Sequence, residues 1–209
     1  MANAPAITFR PARPEDAPEA VPLILSSGPD AFDFVFKSSR NTPAAFLLRA
    51  FPDGAGQFGY RNHVVGEVDG RVVAAGAGWT SASALPFLTA AVRQFLAFLG
   101  PLDIPMAVLR GLRTEAVIRP PSPGEYYIGH LGVDPACRGQ GIGAALVHHL
   151  LDRAKDSGMP RAVLDVALNN PRAEALYKRL GFQVTAERPS TLRRAGGFVP
   201  GHRRMERSP

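Results

Sequence analysis

Arg138-Gly139-Gln140-Gly141-Ile142-Gly143 is the stretch on which the reading of the fold turns. Before it runs Tyr126-Tyr127-Ile128-Gly129-His130-Leu131-Gly132-Val133, an aromatic and β-branched run expected to be a strand. Asp134-Pro135 closes that run, since proline cannot donate to a ladder. After the glycines, Ile142, Ala145, Leu146, His149 and Leu150 fall at helical spacing. The unit is strand, glycine-rich turn, helix. Such a turn gathers unpaired backbone N–H groups at a helix N-terminus, where the dipole favours negative charge. Arg138 adds a fixed cation. This chemistry suits a phosphate or pyrophosphate.

Two other readings compete for these glycines. Three glycines can simply make a turn. Gly139, Gly141 and Ala144 also satisfy the loose G-x-G-x-x-A dinucleotide pattern, with Asp165 near the distance expected of a ribose-binding acid. The connector Asp134–Arg138 counts against the dinucleotide reading, because that fold turns directly from strand into glycine. Only about 65 residues follow Ala144, too few for the rest of such a domain.

The run Leu131-Gly132-Val133-Asp134-Pro135-x-x-Arg138-Gly139-x-Gly141-Ile142-Gly143 resembles the signature of the GNAT superfamily of acyl-CoA-dependent N-acetyltransferases. Downstream, Asn170-Pro171-Arg172-Ala173-Glu174-Ala175-Leu176-Tyr177-Lys178-Arg179-Leu180-Gly181-Phe182 resembles its second signature. The two cover under a third of the chain, in the family's order. The resemblance implies one α/β domain over residues 1–209, with a mixed, splayed, mostly antiparallel sheet flanked by helices. It implies acetyl-CoA as co-substrate and no metal. Arg138, Gly139, Gln140, Gly141, Ile142, Gly143 and Ala144 would hold the pyrophosphate. The backbone of Leu131, Gly132 and Val133 would hydrogen-bond the pantetheine arm. Asn170 and Ala173 would contact the cofactor, and so would Tyr177, which aligns with the general acid toward the departing thiolate.

Acyl transfer to an amine needs a neutral nucleophile, a stabilised oxyanion and a proton for the leaving thiolate. A tyrosine, with an ordinary pKa near 10, can deliver that proton. The base is open among His130 on the strand, Glu125 at its start, Glu67 on an earlier strand, and a route through ordered water. His130 titrates in the useful range. Strand alternation places it opposite Leu131 and on the face of Ile128, where it would be packed. Direct transfer to a primary amine in a ternary complex is the reaction expected. A non-catalytic acyl-CoA sensor or an interaction protein with the same fold is the alternative, and a nucleotide-dependent oxidoreductase is a third.

Composition narrows the classes. The 209 residues can bury a sizeable core, and 45% are hydrophobic, as in ordinary globular proteins. No apolar run approaches the roughly 18 residues of a membrane span. Met1–Pro5 lacks a basic segment followed by an apolar one, so no signal peptide is expected. A single cysteine, Cys137, fits a reducing compartment, taken as the cytoplasm. With no Cys–His–acid arrangement around it, Cys137 reads as connector filler. No spaced His/Cys/acid set points to a metal. The formal charge is +6, from 24 basic and 18 acidic residues. Much of the excess lies at Arg188, Arg193, Arg194, Arg203, Arg204 and Arg207. No aromatics interleave there, so nucleic acid is not the expected partner. A polyanionic cofactor accounts for part of the charge and solvated surface for the rest.

Along the chain, Ala6–Arg10 reads as a strand and Pro14–Leu25 as a short or kinked helix. Phe32, Phe34, Phe36 and Phe46 belong to one or two helices ending near Gly54, as core residues or as the acceptor wall. Asn62–Val68 and Arg71–Trp79 flank Asp69-Gly70, the strongest hairpin signal in the chain. Residues 81–123 read as a helical insertion. In it, Phe87, Leu88, Ala91, Val92, Phe95, Leu96 and Leu99 are expected on one inward stripe. The insertion is a lid, a homodimer contact or added core. Arg161–Val166 reads as a buried central strand, Asn170–Leu180 as a capped helix, and Phe182–Glu187 with His202–Glu206 as a closing pair of strands.

Overall fold

The computed structural model describes residues 7–38, 40–194 and 197–209. In chain order it forms β1 (Thr8–Pro11), α1 (Ala17–Ser26), α2 (Pro29–Phe36), α3 (Pro43–Asp53), β2 (His63–Val68), β3 (Arg71–Thr80), α4 (Ala84–Phe98) and α5 (Ile104–Glu115). There follow β4 (Glu125–Val133), α6 (Ile142–Asp156), β5 (Arg161–Ala167), α7 (Pro171–Arg179), β6 (Gln183–Arg188), β7 (Arg193–Arg194), β8 (Gly197–Phe198) and β9 (His202–Arg207). Ala6, at the head of the first expected strand, lies outside the described residues.

Seven strands make one sheet in the order β1-β2-β3-β4-β5-β9-β6. Every neighbour is antiparallel except β4 and β5, which run parallel. This is the mixed, mostly antiparallel α/β sheet expected from the sequence. The β2–β3 turn follows from its residues: Asp69 (φ 51°) and Gly70 (φ 77°) both sit in the left-handed region, as a type I′ turn demands. β9 enters between β5 and β6. The closing strands therefore pair with each other, as read, but the later of the two takes the inner place.

Helices cover both faces. α6 buries Ile142, Leu146, Val147, Leu150 and Leu151 against Val64, Val73, Tyr126, Ile128 and Leu164. Gly76 of β3 makes room for this: a Cβ there would meet Leu150 at 3.1 Å and Leu146 at 3.2 Å. On the other face α1, α2 and α3 bury Val21, Ile24, Phe36, Phe46, Leu47 and Phe51. All four phenylalanines Phe32, Phe34, Phe36 and Phe46 are core. α1 approaches β4 so closely at Gly132 that any side chain there would collide with the Leu23 carbonyl.

The expected stripe of the insertion is half met: Leu99 is buried and Phe87 and Phe95 pack on the core. Leu88, Val92 and Leu96 of α4 are exposed, whereas Ala90 and Gln94 are buried. The reason is polar: the Gln94 amide donates to Asp53 Oδ2 and to the Ala55 carbonyl, both at 2.9 Å. That anchor, with Arg93 paired to Asp53, decides which side of an all-round apolar helix faces in. The tail arginines are also less solvated than expected. Arg204 is buried, Arg203 pairs with Glu174 and Glu187, and Arg194 donates to the Asp33 carbonyl.

Candidate functional site

β4 and β5 pair at only three positions, Glu125↔Arg161, Tyr126↔Ala162 and Tyr127↔Val163. Beyond them β4 stays on β3 as far as Val133↔Ala74, and β5 stays on β9 as far as Ala167↔His202. The inner edges of Ile128–Val133 and Leu164–Ala167 thus face each other without a ladder. A row of unpaired backbone groups is a template for an extended peptide-like ligand.

A buried ionic cluster ties the two strands together where their ladder ends. Arg204 of β9 donates to Asp165 Oδ2 of β5 at 2.8 Å and to Glu125 Oε2 of β4 at 3.4 Å. The Tyr127 hydroxyl donates to Asp165 Oδ2 at 3.2 Å, and Arg188 of β6 approaches Asp165 Oδ1 at 3.4 Å. Burial, reinforced by the Asp165 charge, raises the Tyr127 phenol well above its ordinary range. Asp165, the residue weighed above as a ribose-binding acid, is 1% exposed in its side chain and fully engaged in this cluster.

At the open end the two signature segments meet. Gly139 and Gly141 both have φ 83°, a conformation that glycine alone takes without strain. A Cβ on either would meet nothing within 4 Å, so the backbone of the turn faces open space. Gly141 is the N-cap of α6 and offers no side-chain cap, which leaves the first N–H groups of the helix unpartnered by the chain. Gln140 is exposed beside them. The Arg138 Nε folds back to the Val133 carbonyl at 3.1 Å. A Cβ on Gly143 would lie 3.6 Å from Leu176 and 3.8 Å from Val133, so α6, β4 and α7 converge here. Asn170 caps α7, its Oδ1 accepting from the Ala173 N–H at 3.1 Å. The glycine turn therefore has the room and the donors that a pyrophosphate needs.

Tyr177 projects from α7 and packs edge-on against Phe182, with ring centroids 6.2 Å apart. Burial pushes its phenol up to about 12, so it stays protonated at neutral pH. Of the candidate bases, Glu67 is held by Arg10 at 2.6 Å, and Glu125 is tied into the ionic cluster. His130 alone lies on the opened stretch of β4.

His130 corrects the face expected of it. Ala75 pairs with Gly132 and Ala77 with Gly129, so His130 and Leu131 together oppose Gly76. This is a β-bulge, with His130 at φ 56°. The extra residue turns the imidazole away from the side of Ile128 and onto that of Trp79 and Tyr127. There it meets His63 edge to edge, with ring centroids 5.2 Å apart and planes 11° apart, and stacks on Phe58 at 5.5 Å, with Trp79 at 5.4 Å and Phe32 at 6.0 Å. His63, missed in the sequence, lies two strands away in the register His63↔Ala77↔Gly129. The Asp69-Gly70 turn sets the register only as far as Glu67↔Val72; a bulge at Gly66/Glu67 shifts it by one before His63, and the β4 bulge shifts it again before His130.

Burial pushes the His63 imidazole down to about 4. Its value in an unfolded chain is about 6.5. Between these values the unfolded chain binds the extra proton, so His63 stabilises the fold fully above pH 6.5 and loses that contribution as the pH falls toward 4. Urea melts at pH 7 and pH 4 should show about 3 kcal/mol of stability lost through this residue, a loss missing from the pH dependence of His63→Gln.

A model of the Acetyltransferase (GNAT) family matches residues 33–182. The mycothiol acetyltransferase of Mycobacterium sp. (strain JLS) is 43% identical over 70 residues, which is 32% of this chain and 23% of that protein. The N-alpha-acetyltransferase RimI of Mycobacterium tuberculosis (strain ATCC 25618 / H37Rv) is 38% identical over 87 residues, 42% of this chain and 53% of the relative. The chain thus spans about a quarter to a half of the length of these relatives. An N-acetyltransferase from Staphylococcus aureus Mu50 superposes with a TM-score of 0.71 at 20% identity, covering 96% of this chain and all of that one, and so shares the fold. With the family model spanning both the splayed strands and the glycine turn, the chain belongs to the GNAT acetyltransferase family.

Proposed function

We propose that the protein transfers an acetyl group from acetyl-CoA to a primary amine by direct attack in a ternary complex. One observation carries the reading. The sheet opens after Tyr127↔Val163, and the uncapped glycine turn and α7, through Leu176, converge with the end of β4. Its relatives are named as acetyltransferases, which supports acyl transfer as the reaction class.

Each residue then has a task. The N–H groups of Ile142, Gly143 and Ala144, with the Arg138 cation, hold the pyrophosphate. The inner edge of Leu131 and Val133 pairs with the amide groups of the pantetheine arm, with Gly132 keeping that strand close to α1. An unpaired N–H of the same edge polarises the thioester carbonyl. Tyr177 protonates the departing thiolate and recovers its proton from water. His130 receives the proton that the amine loses.

Calorimetric titration with acetyl-CoA tests the reading. The native protein should bind, and Gly141→Leu should weaken binding at least tenfold. The variant forces a branched residue into left-handed backbone, at about 1–2 kcal/mol, and fills the space over the turn. Failure of the native protein to bind would sink the proposal.

A further inference from the structure

The two adjoining histidines have only one consistent placement of protons. The Gly59 carbonyl can only accept, and it lies 2.9 Å from His63 Nδ1, so Nδ1 of His63 carries a proton. His63 is neutral in its buried position, so its Nε2 holds a lone pair. That lone pair faces His130 Nδ1 at 3.1 Å, and the contact is a hydrogen bond only if His130 carries its proton on Nδ1. In neutral His130, the lone pair then sits on Nε2.

His130 Nε2 makes no hydrogen bond to the described residues. No buried side-chain nitrogen or oxygen among those residues lacks a partner, so this atom reaches accessible space. His130 also lies on the stretch of β4 that has left β5. Its other ring neighbours are Phe32, Phe58 and Trp79. None of these competes for the ring protons.

We infer that His63 is a positioning residue, which accepts the Nδ1–H of His130 and so fixes the tautomer whose free Nε2 takes the proton from the attacking amine. The inference rests on the acyl-transfer reading and adds to it the identity of the base and the group that orients it. The step balances. The amine nitrogen forms a C–N bond to the acyl carbon as the C–S bond breaks. The proton lost by nitrogen goes to His130 Nε2, and the thiolate takes one from Tyr177. Water resets both residues. A nitrogen that has just attacked carries an acidic proton, so even a weakly basic imidazole serves. The relay stops at Gly59, whose carbonyl cannot pass a proton on.

A long-range proton–nitrogen correlation spectrum of the labelled protein reads the tautomer directly. The native spectrum should show His130 protonated on Nδ1 and bare on Nε2. His63→Leu should lose that preference, and His63→Gln, whose amide oxygen can still accept, should keep it. Native His130 protonated on Nε2 would overturn the inference. In parallel, thiol release from acetyl-CoA is followed with n-butylamine as the acceptor probe. His63→Leu should lower kcat about tenfold to a hundredfold with KM for acetyl-CoA unchanged, and His63→Gln should recover most of it. His63→Leu added to His130→Gln should cost nothing further, because both remove the same step. An additional loss in the double variant would make His63 merely structural. A native protein that binds no acetyl-CoA would instead overturn the acyl-transfer reading, whatever the spectrum shows.

Discussion

Tyr177→Phe is expected to lower kcat by about a hundredfold to ten-thousandfold, the usual span for losing a positioned proton donor, while leaving acetyl-CoA affinity within about twofold. The change removes one oxygen. The ring keeps its contact with Phe182, and α7 keeps its cap at Asn170, so the pocket wall stays in place. The effect should fall on kcat and on kcat/KM alike, the mark of an interaction made only as the thiolate departs. Steady-state rates at saturating acetyl-CoA, with calorimetry on the same preparation, read both halves. A variant that keeps native kcat would remove Tyr177 from the chemistry. It would leave the alternative of a protein that binds acyl-CoA without turning it over.

The second large effect is on stability. Asp165→Ala should cost about 3–5 kcal/mol of unfolding free energy, because it leaves the Arg204 guanidinium buried without its closest anionic partner. Glu125 alone, at 3.4 Å, compensates poorly. Arg204→Met in the same background should restore part of the loss, since the pair together is worth much less than either half alone. Urea denaturation of the three proteins at pH 7 decides the matter. A loss below about 1 kcal/mol in Asp165→Ala would mean that the cluster is effectively solvated.

Particular residues show how far the sequence carried. The Asp69-Gly70 hairpin, the helix cap at Asn170 and the glycine turn were legible, because each is set by conformational preferences within a few residues. The splay was implied only by the family resemblance, since it depends on where pairing stops rather than on what any strand contains. The inward side of α4 was read only in part: Phe87, Phe95 and Leu99 face in as expected, but Leu88, Val92 and Leu96 do not. The orientation is set by Gln94 reaching Asp53 and Ala55, a contact with no periodic signal. His130 was singled out as a base candidate but assigned to the wrong face, because period-two alternation fails at the one residue where β4 bulges. His63 and the Asp165 cluster were invisible for a related reason. Their partners lie one or two strands away, and β9 reaches Asp165 only by entering the sheet inside β6.

The three-rung join between β4 and β5 has a mechanical consequence. It is a seam: one flap of sheet, β1 to β4, meets the other, β5 with β9 and β6, along those rungs, with the ionic cluster, the span of α6 and the Arg194 contact to α2 also bridging the two. If the arm binds along the open edges as proposed, it adds rungs that the chain itself lacks and works as a stitch. A filled cleft would then draw stabilisation from closing the seam as well as from the contacts of the ligand.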